Sequence, residues 1–259
     1  MKFRIFLVLL TAFTLALFPA PQEETPPKEQ AQPGSYQIDY SAGLNFCFSR
    51  VPVLMGKDNL ENTLIHSYLA LEVEVGVLDF LRIGAVAGFD SNHFGDPVDF
   101  VNLPLSLRIN DQSYSSMVFG VRARSDLFSW RDFSFNADAE LLFFKPFKKE
   151  HTIDLPIATG QSTVKQSFSQ VTVELLAQYD GLSSITIFAG PQLNLLKGKM
   201  TASEAIVDLQ GEEKLTYKQK NTLGLAGGVN IELSSHFDLD VKVSLFSKAS
   251  LSAEIFYIF

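Results

Sequence analysis

A chain of 259 residues carrying 29 Asp and Glu against 21 Lys and Arg, a formal charge of −8, is poorly suited to a nucleic-acid partner. One cysteine, Cys47, excludes an intrachain disulfide framework, and four histidines with one tryptophan leave little material for a metal centre. Hydrophobic residues make up 46% of the chain, yet past the first twenty residues no apolar run approaches the roughly 18–20 residues of a membrane helix.

The N-terminus reads as an address. Lys2 and Arg4 give a positive start, Ile5 to Leu17 form an apolar run, and Ala20 offers a small residue for cleavage, so residues 1–20 are expected to be a secretory signal peptide. Residues 21–34 (P-Q-E-E-T-P-P-K-E-Q-A-Q-P-G) are polar and proline-rich, the composition of a disordered periplasmic tail.

From residue 35 onward the pattern has period two. Tyr36, Ile38, Tyr40, Ala42, Leu44, Phe46 and Phe48 share one face of a strand, with Asp39, Ser41, Gly43, Asn45 and Cys47 on the other. The scheme recurs at Leu69–Val77, Leu81–Phe89, Met117–Ala123 and Phe133–Phe143. It continues at Val171–Tyr179, Ile185–Leu195, Leu223–Ile231 and Leu239–Leu245, and closes with Leu251, Ala253, Ile255, Tyr257 and Phe259. Short links (Leu78–Phe80, Ser125–Arg131, Asp180–Ser183, Ser234–Phe237) alternate with long ones (Arg50–His66, Asp90–Ser113, Lys145–Gln166, Lys197–Lys220), and Lys248–Ala249 must be a very short loop on the long-loop side. The expected fold is all-β, a transmembrane up-and-down antiparallel β-barrel of about ten strands over residues 35–259, with eight or twelve as the alternatives. Val98–Ile109 alternates like a further strand, with Val101, Leu103, Leu105, Leu107 and Ile109 on one face. Pro104 and the strand parity assign it to an external loop.

A soluble barrel of lipocalin type would turn the apolar face inward. The apolar faces here carry no Lys, Arg, Asp or Glu, whereas a Lys or Arg at a bilayer midplane costs roughly 2–4 kcal/mol, so these faces are expected to meet lipid. Aromatics near the strand ends, among them Phe80, Phe128, Trp130, Phe133, Tyr179, Phe237 and Tyr257, fit interfacial girdles.

Strand parity then sends a set of charges inward: Glu72, Glu74, Asp138, Glu140, Glu174, Glu232, Asp238, Asp240 and Glu254 with Arg82, Arg122, Arg124 and Lys242. Hairpin geometry places Arg82 diagonally near Glu74, and Lys242 near Glu232. Two outcomes are open: a salt-bridged plug of a narrow barrel, or an acidic path for cations and small polar solutes. Asp90, Asn92, Gly95 and Asp96 faintly resemble a calcium loop, but Phe94 and Val101 stand where oxygen ligands are needed, so no metal is expected. His66, His93 and His151 are expected in external loops or at the external rim, with Asp90 and Asp154 near two of them in sequence, and His236 in a periplasmic turn. Gly224, Gly227 and Gly228 lie mid-strand with no helix after them, and read as close-packing glycines rather than a nucleotide loop.

The strand pattern, the loop asymmetry and the aromatic terminus resemble the small bacterial outer-membrane β-barrel proteins of the opacity-protein and OmpA-like type. In that group the final strand, here Leu251, Ala253, Ile255, Tyr257 and Phe259, is the β-signal read during assembly. The resemblance implies a bacterial outer-membrane location, lipid contact, and the barrel-assembly machinery and periplasmic chaperones as partners during biogenesis. It transfers no catalytic or ligand residues: the paired Asp-Asp and Asp-His constellation of the omptin proteases is not visible. The sequence therefore points to a monomeric, non-enzymatic barrel without a cofactor, structural or acting through its external loops. A narrow channel is the alternative, and a hydrolase at the rim a lesser one.

Overall fold

The computed structural model describes residues 39–103, 107–109, 113–147, 149–155, 158–206 and 209–259; the side chains of residues 149–160 and of residue 206 are not described. The expected signal peptide, proline-rich tail and Tyr36 lie outside these residues.

Fourteen strands follow in order: β1 (Tyr40–Met55), β2 (Leu60–Leu78), β3 (Leu81–Phe94), β4 (Val98–Phe100), β5 (Leu107–Ile109), β6 (Tyr114–Trp130), β7 (Phe133–Pro146), β8 (Lys149–Leu155), β9 (Ala158–Leu182), β10 (Ile185–Ile206), β11 (Leu209–Gln219), β12 (Leu223–Ser234), β13 (Phe237–Leu245) and β14 (Ala249–Ile258). Ten of them close a ring, β1-β2-β3-β6-β7-β9-β10-β12-β13-β14, in which β14 returns to β1 from Ser41↔Ile258 to Arg50↔Ala249. Every pairing is antiparallel. The ten strands expected from the pattern are these ten.

The alternation decides which face is outside. Leu44, Leu69, Leu71, Val73, Ile83, Phe89, Val121, Leu175, Ile187, Leu225 and Ile255 are all exposed, while Asn45, Glu72, Glu74, Glu174, Gln192 and Glu254 on the opposite faces are buried. A water-soluble protein would not leave so broad an apolar belt uncovered. The stretch Leu69–Val77 rises about 27 Å along its strand, which at the usual tilt of about 40° spans about 21 Å of height, comparable to the roughly 25 Å apolar band of a membrane barrel. The belt ends at the short turns in a ring of aromatics. Phe128 stacks on Phe135 at 4.4 Å, Phe133 meets Tyr179 at 5.2 Å, and Tyr257 touches Phe237 at 5.0 Å and Phe259 at 4.8 Å.

The long links are not loops in the ordinary sense. β1 and β2 stay paired up to Met55↔Leu60, β9 and β10 up to Gly160↔Ile206, and β11 folds back on β10 and reaches β1 at Val53↔Gln219. Above the belt β11 replaces β12, β13 and β14, so the wall continues upward with fewer strands. A tight turn after β13 sits against the end of β11. Phe246 sits there at φ +73°, a left-handed backbone that is uncommon for an aromatic, and Gln219 donates to the Ser247 carbonyl at 2.9 Å.

Along these extended strands the solvent logic inverts. On β10 the outward column runs Leu193, Leu195 and then Lys197, Lys199, Thr201; the inward column runs Gln192, Asn194 and then Leu196, Met200, Ala202. β1 does the same inside, from Ser41, Asn45 and Ser49 to Val51, Val53 and Met55. The lower barrel is oily outside and polar within, and the upper barrel is the reverse.

Candidate functional site: a lumen closed in two layers

The lower layer is centred on Arg122 of β6. Its Nη1 lies 2.9 Å from Glu254 Oε2 and 3.3 Å from Glu72 Oε2, and its Nε donates to both Asp138 oxygens at 3.0 and 3.1 Å. Two residues along the same inward column, Arg124 reaches Glu254 Oε2 at 2.8 Å and Glu74 Oε1 at 3.3 Å. Asn45 donates to the other oxygen of Glu254 at 2.9 Å. Across the bore Lys242 holds Glu174 Oε2 at 3.0 Å, and the Gln192 amide donates to Glu174 Oε1 at 2.6 Å. Glu72, Glu74, Glu174, Glu254 and Arg122 are each at most 5% exposed. Charges so far from water persist because they are paired and hydrogen-bonded.

Glycine makes room for this packing. A Cβ at Gly228 would collide with the Val241 carbonyl and the Phe188 ring, so the inward glycine of β12 is required by close approach. Below the charge layer a cavity of about 260 Å³ opens at the turn end, lined by Arg82, Asp126, Asn136, Gln178, Asn230 and Asp240, and roofed by Arg122, Arg124 and Lys242.

Most of the expected inward charges meet here, with three corrections. Lys242 is held by Glu174 rather than Glu232, because β13 faces β9 across the lumen while Glu232 pairs with Asp238 in strand register near the turn. Glu232 and Arg82 are exposed at the turn end, and Glu74 is bound by Arg124 instead of Arg82. Asp238 is half-buried at that same end. Glu140 and Asp240 face the lumen on β7 and β13 as expected.

The upper layer is apolar, where the strand pattern alone implies polar loops. Val51, Val53, Leu64, Phe94, Val118, Leu142, Phe144, Phe168, Leu196, Met200 and Tyr217 form one buried apolar cluster inside the barrel. Phe144 stacks on Phe168 at 4.0 Å, and the His66 ring meets each of them edge-on at 5.5 Å. The β4–β5 hairpin caps this core with Val98, Phe100, Leu103 and Ile109 buried in it. Its start is fixed by Asn62, which bonds the backbone of Asp96 in both directions at 3.1 Å. Its tip is fixed by Asn102, whose backbone and side-chain amides donate to the two oxygens of Glu213 on β11 at 2.8 and 2.9 Å. Val98–Ile109 is thus external to the ring, as expected. Its faces are not as expected, however: Val101 is exposed and Phe100 buried. Burial pushes the phenol of Tyr217 well above its ordinary pKa, and it stays a neutral acceptor for Gln166 Nε2 at 3.2 Å.

His66 is not at the rim. It lies inside the barrel with Nδ1 3.4 Å from Asp90 Oδ1, both side chains buried. Asn92 donates to Asp90 at 2.6 Å and to Ser116 at 3.1 Å. Asp90 and Asn92 therefore belong to the inward face of a continuous strand and do not form a cation-binding loop with Asp96. His93 faces outward, His236 bonds Ser235 in its turn at 2.8 Å, and the His151 side chain is outside the described ones.

No protein-family model matches the sequence, and no curated protein matches it. Among solved structures the chain is similar to the outer membrane protease OmpT from Escherichia coli, at 8% identity over 85% of this chain and 97% of that one, with a TM-score of 0.46. It is also similar to the outer membrane protein AlkL in lipid bilayers (12% identity, 92% and 97% covered, TM-score 0.40). A third is Ail, the attachment invasion locus protein of Yersinia pestis (10% identity, 85% and 98% covered, TM-score 0.29). The fold rests on the closed ring of strand pairings rather than on these likenesses.

Proposed function

We propose that the protein is a non-enzymatic integral barrel of the bacterial outer membrane. Its lumen is sealed, and its role is carried by the rigid β-walled head above the membrane. The observation that supports this reading best is the double closure of the bore. The Arg122 charge layer fills it at belt height, and the apolar core under the β4–β5 hairpin fills it above. A pore for polar solutes needs a wetted path, and the upper core is lined by Phe, Leu, Val and Met. The head is a structured surface, which suits recognition better than transport. The terminal strand, with Leu251, Ile255 and Phe259 exposed on its lipid face, fits engagement by the barrel-assembly machinery after delivery by periplasmic chaperones.

Planar-bilayer recording of the refolded protein tests the reading. The expected result is a bilayer without discrete conductance steps at neutral pH. Regular unitary steps from the intact protein would instead support the narrow-channel alternative.

A further inference from the structure

The outward faces of β9, β10 and β11 carry a cluster of cations directly above the apolar belt. Lys197 and Lys199 of β10 and Lys165 of β9 are exposed, as are Lys214 and Lys218 of β11. Strand register makes them neighbours: Lys197 lies opposite Lys218, and Thr201 lies between Lys165 on one side and Lys214 on the other. Five ammonium groups thus share a facet of about 10 by 13 Å, given ordinary strand spacing and rise. Among the described residues on this facet Glu212 is the acidic neighbour, and it is bound to Lys214 at 2.6 Å. The other outward residues, Ser167, Ser169, Thr163, Ser203 and Thr216, are neutral.

Like charges directly opposite one another across a strand pair destabilise a sheet, so folding alone does not account for Lys197 beside Lys218. An anion lying over the facet would. The column below identifies what kind. Leu193 and Leu195 continue downward from Lys197 on the same strand, with Val171 and Val173 beside them, all facing outward. A ligand that satisfies both surfaces has several negative charges at one end and hydrocarbon at the other. Among the described residues the rim at the opposite end is mainly acidic, with Asp79, Asp126, Asp132, Asp180 and Glu232 exposed against the cations Arg82 and Arg131.

We propose that this five-lysine facet binds the phosphate-bearing headgroup of a membrane lipid, with the acyl chains lying on the leucine and valine columns beneath. The proposal rests on the membrane reading given above. Bound lipid would fix the depth of the barrel and hold the head at a set height over the bilayer.

The test uses the full mature chain folded in neutral detergent and exchanged into mixed phosphatidylglycerol and phosphatidylcholine, with native mass spectrometry to count retained lipids. The wild type is expected to retain phosphatidylglycerol preferentially. The Lys197→Gln/Lys199→Gln/Lys218→Gln variant should lose roughly tenfold or more of that preference, since each lysine near a lipid surface contributes several-fold. Lys57→Gln/Lys145→Gln, which removes two exposed lysines outside the facet, should leave it unchanged. Millimolar inorganic phosphate should compete poorly, because it lacks the hydrocarbon arm. Equal retention of both lipids by the wild type, equal loss in the two variants, or full displacement by phosphate would each overturn the headgroup site. Failure to retain either lipid would overturn the membrane reading and this site with it.

Discussion

Arg122 shows why lumen residues must be judged by their partners. Its guanidinium touches Glu72, Asp138 and Glu254, which stand on β2, β7 and β14, so one cation ties together three arcs of the ring. Lys242 and Glu174 give the cleaner experiment, since Glu174 receives one donor on each oxygen. Lys242→Met is expected to destabilise the folded barrel by about 3–5 kcal/mol, because it leaves the buried Glu174 carboxylate without its cation. Adding Glu174→Gln should recover part of that loss. Urea unfolding in detergent, followed by tryptophan fluorescence, reads both. A single variant with an unchanged midpoint would mean that the pair does not contribute. The inward placement of these residues was legible from the period-two pattern, but the identity of the pairs was not. Sequence spacing exposes neighbours within a hairpin, such as Lys242 and Glu232, whereas β13 and β9 meet across the bore only after ring closure and shear set their relative heights.

Elements divide along the same line. Strands at belt height were readable because lipid outside and polar groups inside give each strand a clean alternation. The upper halves of β1, β2, β9 and β10 looked like polar loops because water lies outside them and the apolar residues have moved to the inward column. The signal was present in Leu196, Met200 and Ala202, which keep the parity of Gln192 and Asn194 while exchanging their chemistry. The β4–β5 hairpin is the element that this inversion requires, since an apolar upper bore open to water would cost free energy. Replacing residues 98–109 by a short Gly-Ser linker should expose that core and lower the unfolding midpoint. It should not by itself produce a conducting pore, because the Arg122 layer below is untouched. Bilayer recording on the deletion protein checks this, and ohmic steps from it would show that the charge layer does not seal the bore.

At the scale of the whole molecule, one continuous sheet serves two solvents, and the boundary is drawn by the outward residues: leucine and valine up to Leu195, lysine from Lys197. The chain must therefore be delivered to a bilayer and closed there, and closure falls to β14, which pairs with β13 on one side and β1 on the other. Phe259 adds little to that closure. It is exposed, lies past the last paired residue, and contributes one backbone hydrogen bond to Tyr40 at 3.0 Å and an edge contact to Tyr257. Removing it should shift the stability of the detergent-folded barrel by no more than about 0.5–1 kcal/mol, as for other exposed positions. If the terminal aromatic is read by an assembly machine, the same deletion should sharply lower the rate at which the chain is inserted by that machine into vesicles. Spontaneous folding into thin detergent-like bilayers should be little changed. Equal insertion rates with and without Phe259 would remove the assembly role of the terminus and leave the strand as a purely structural seam.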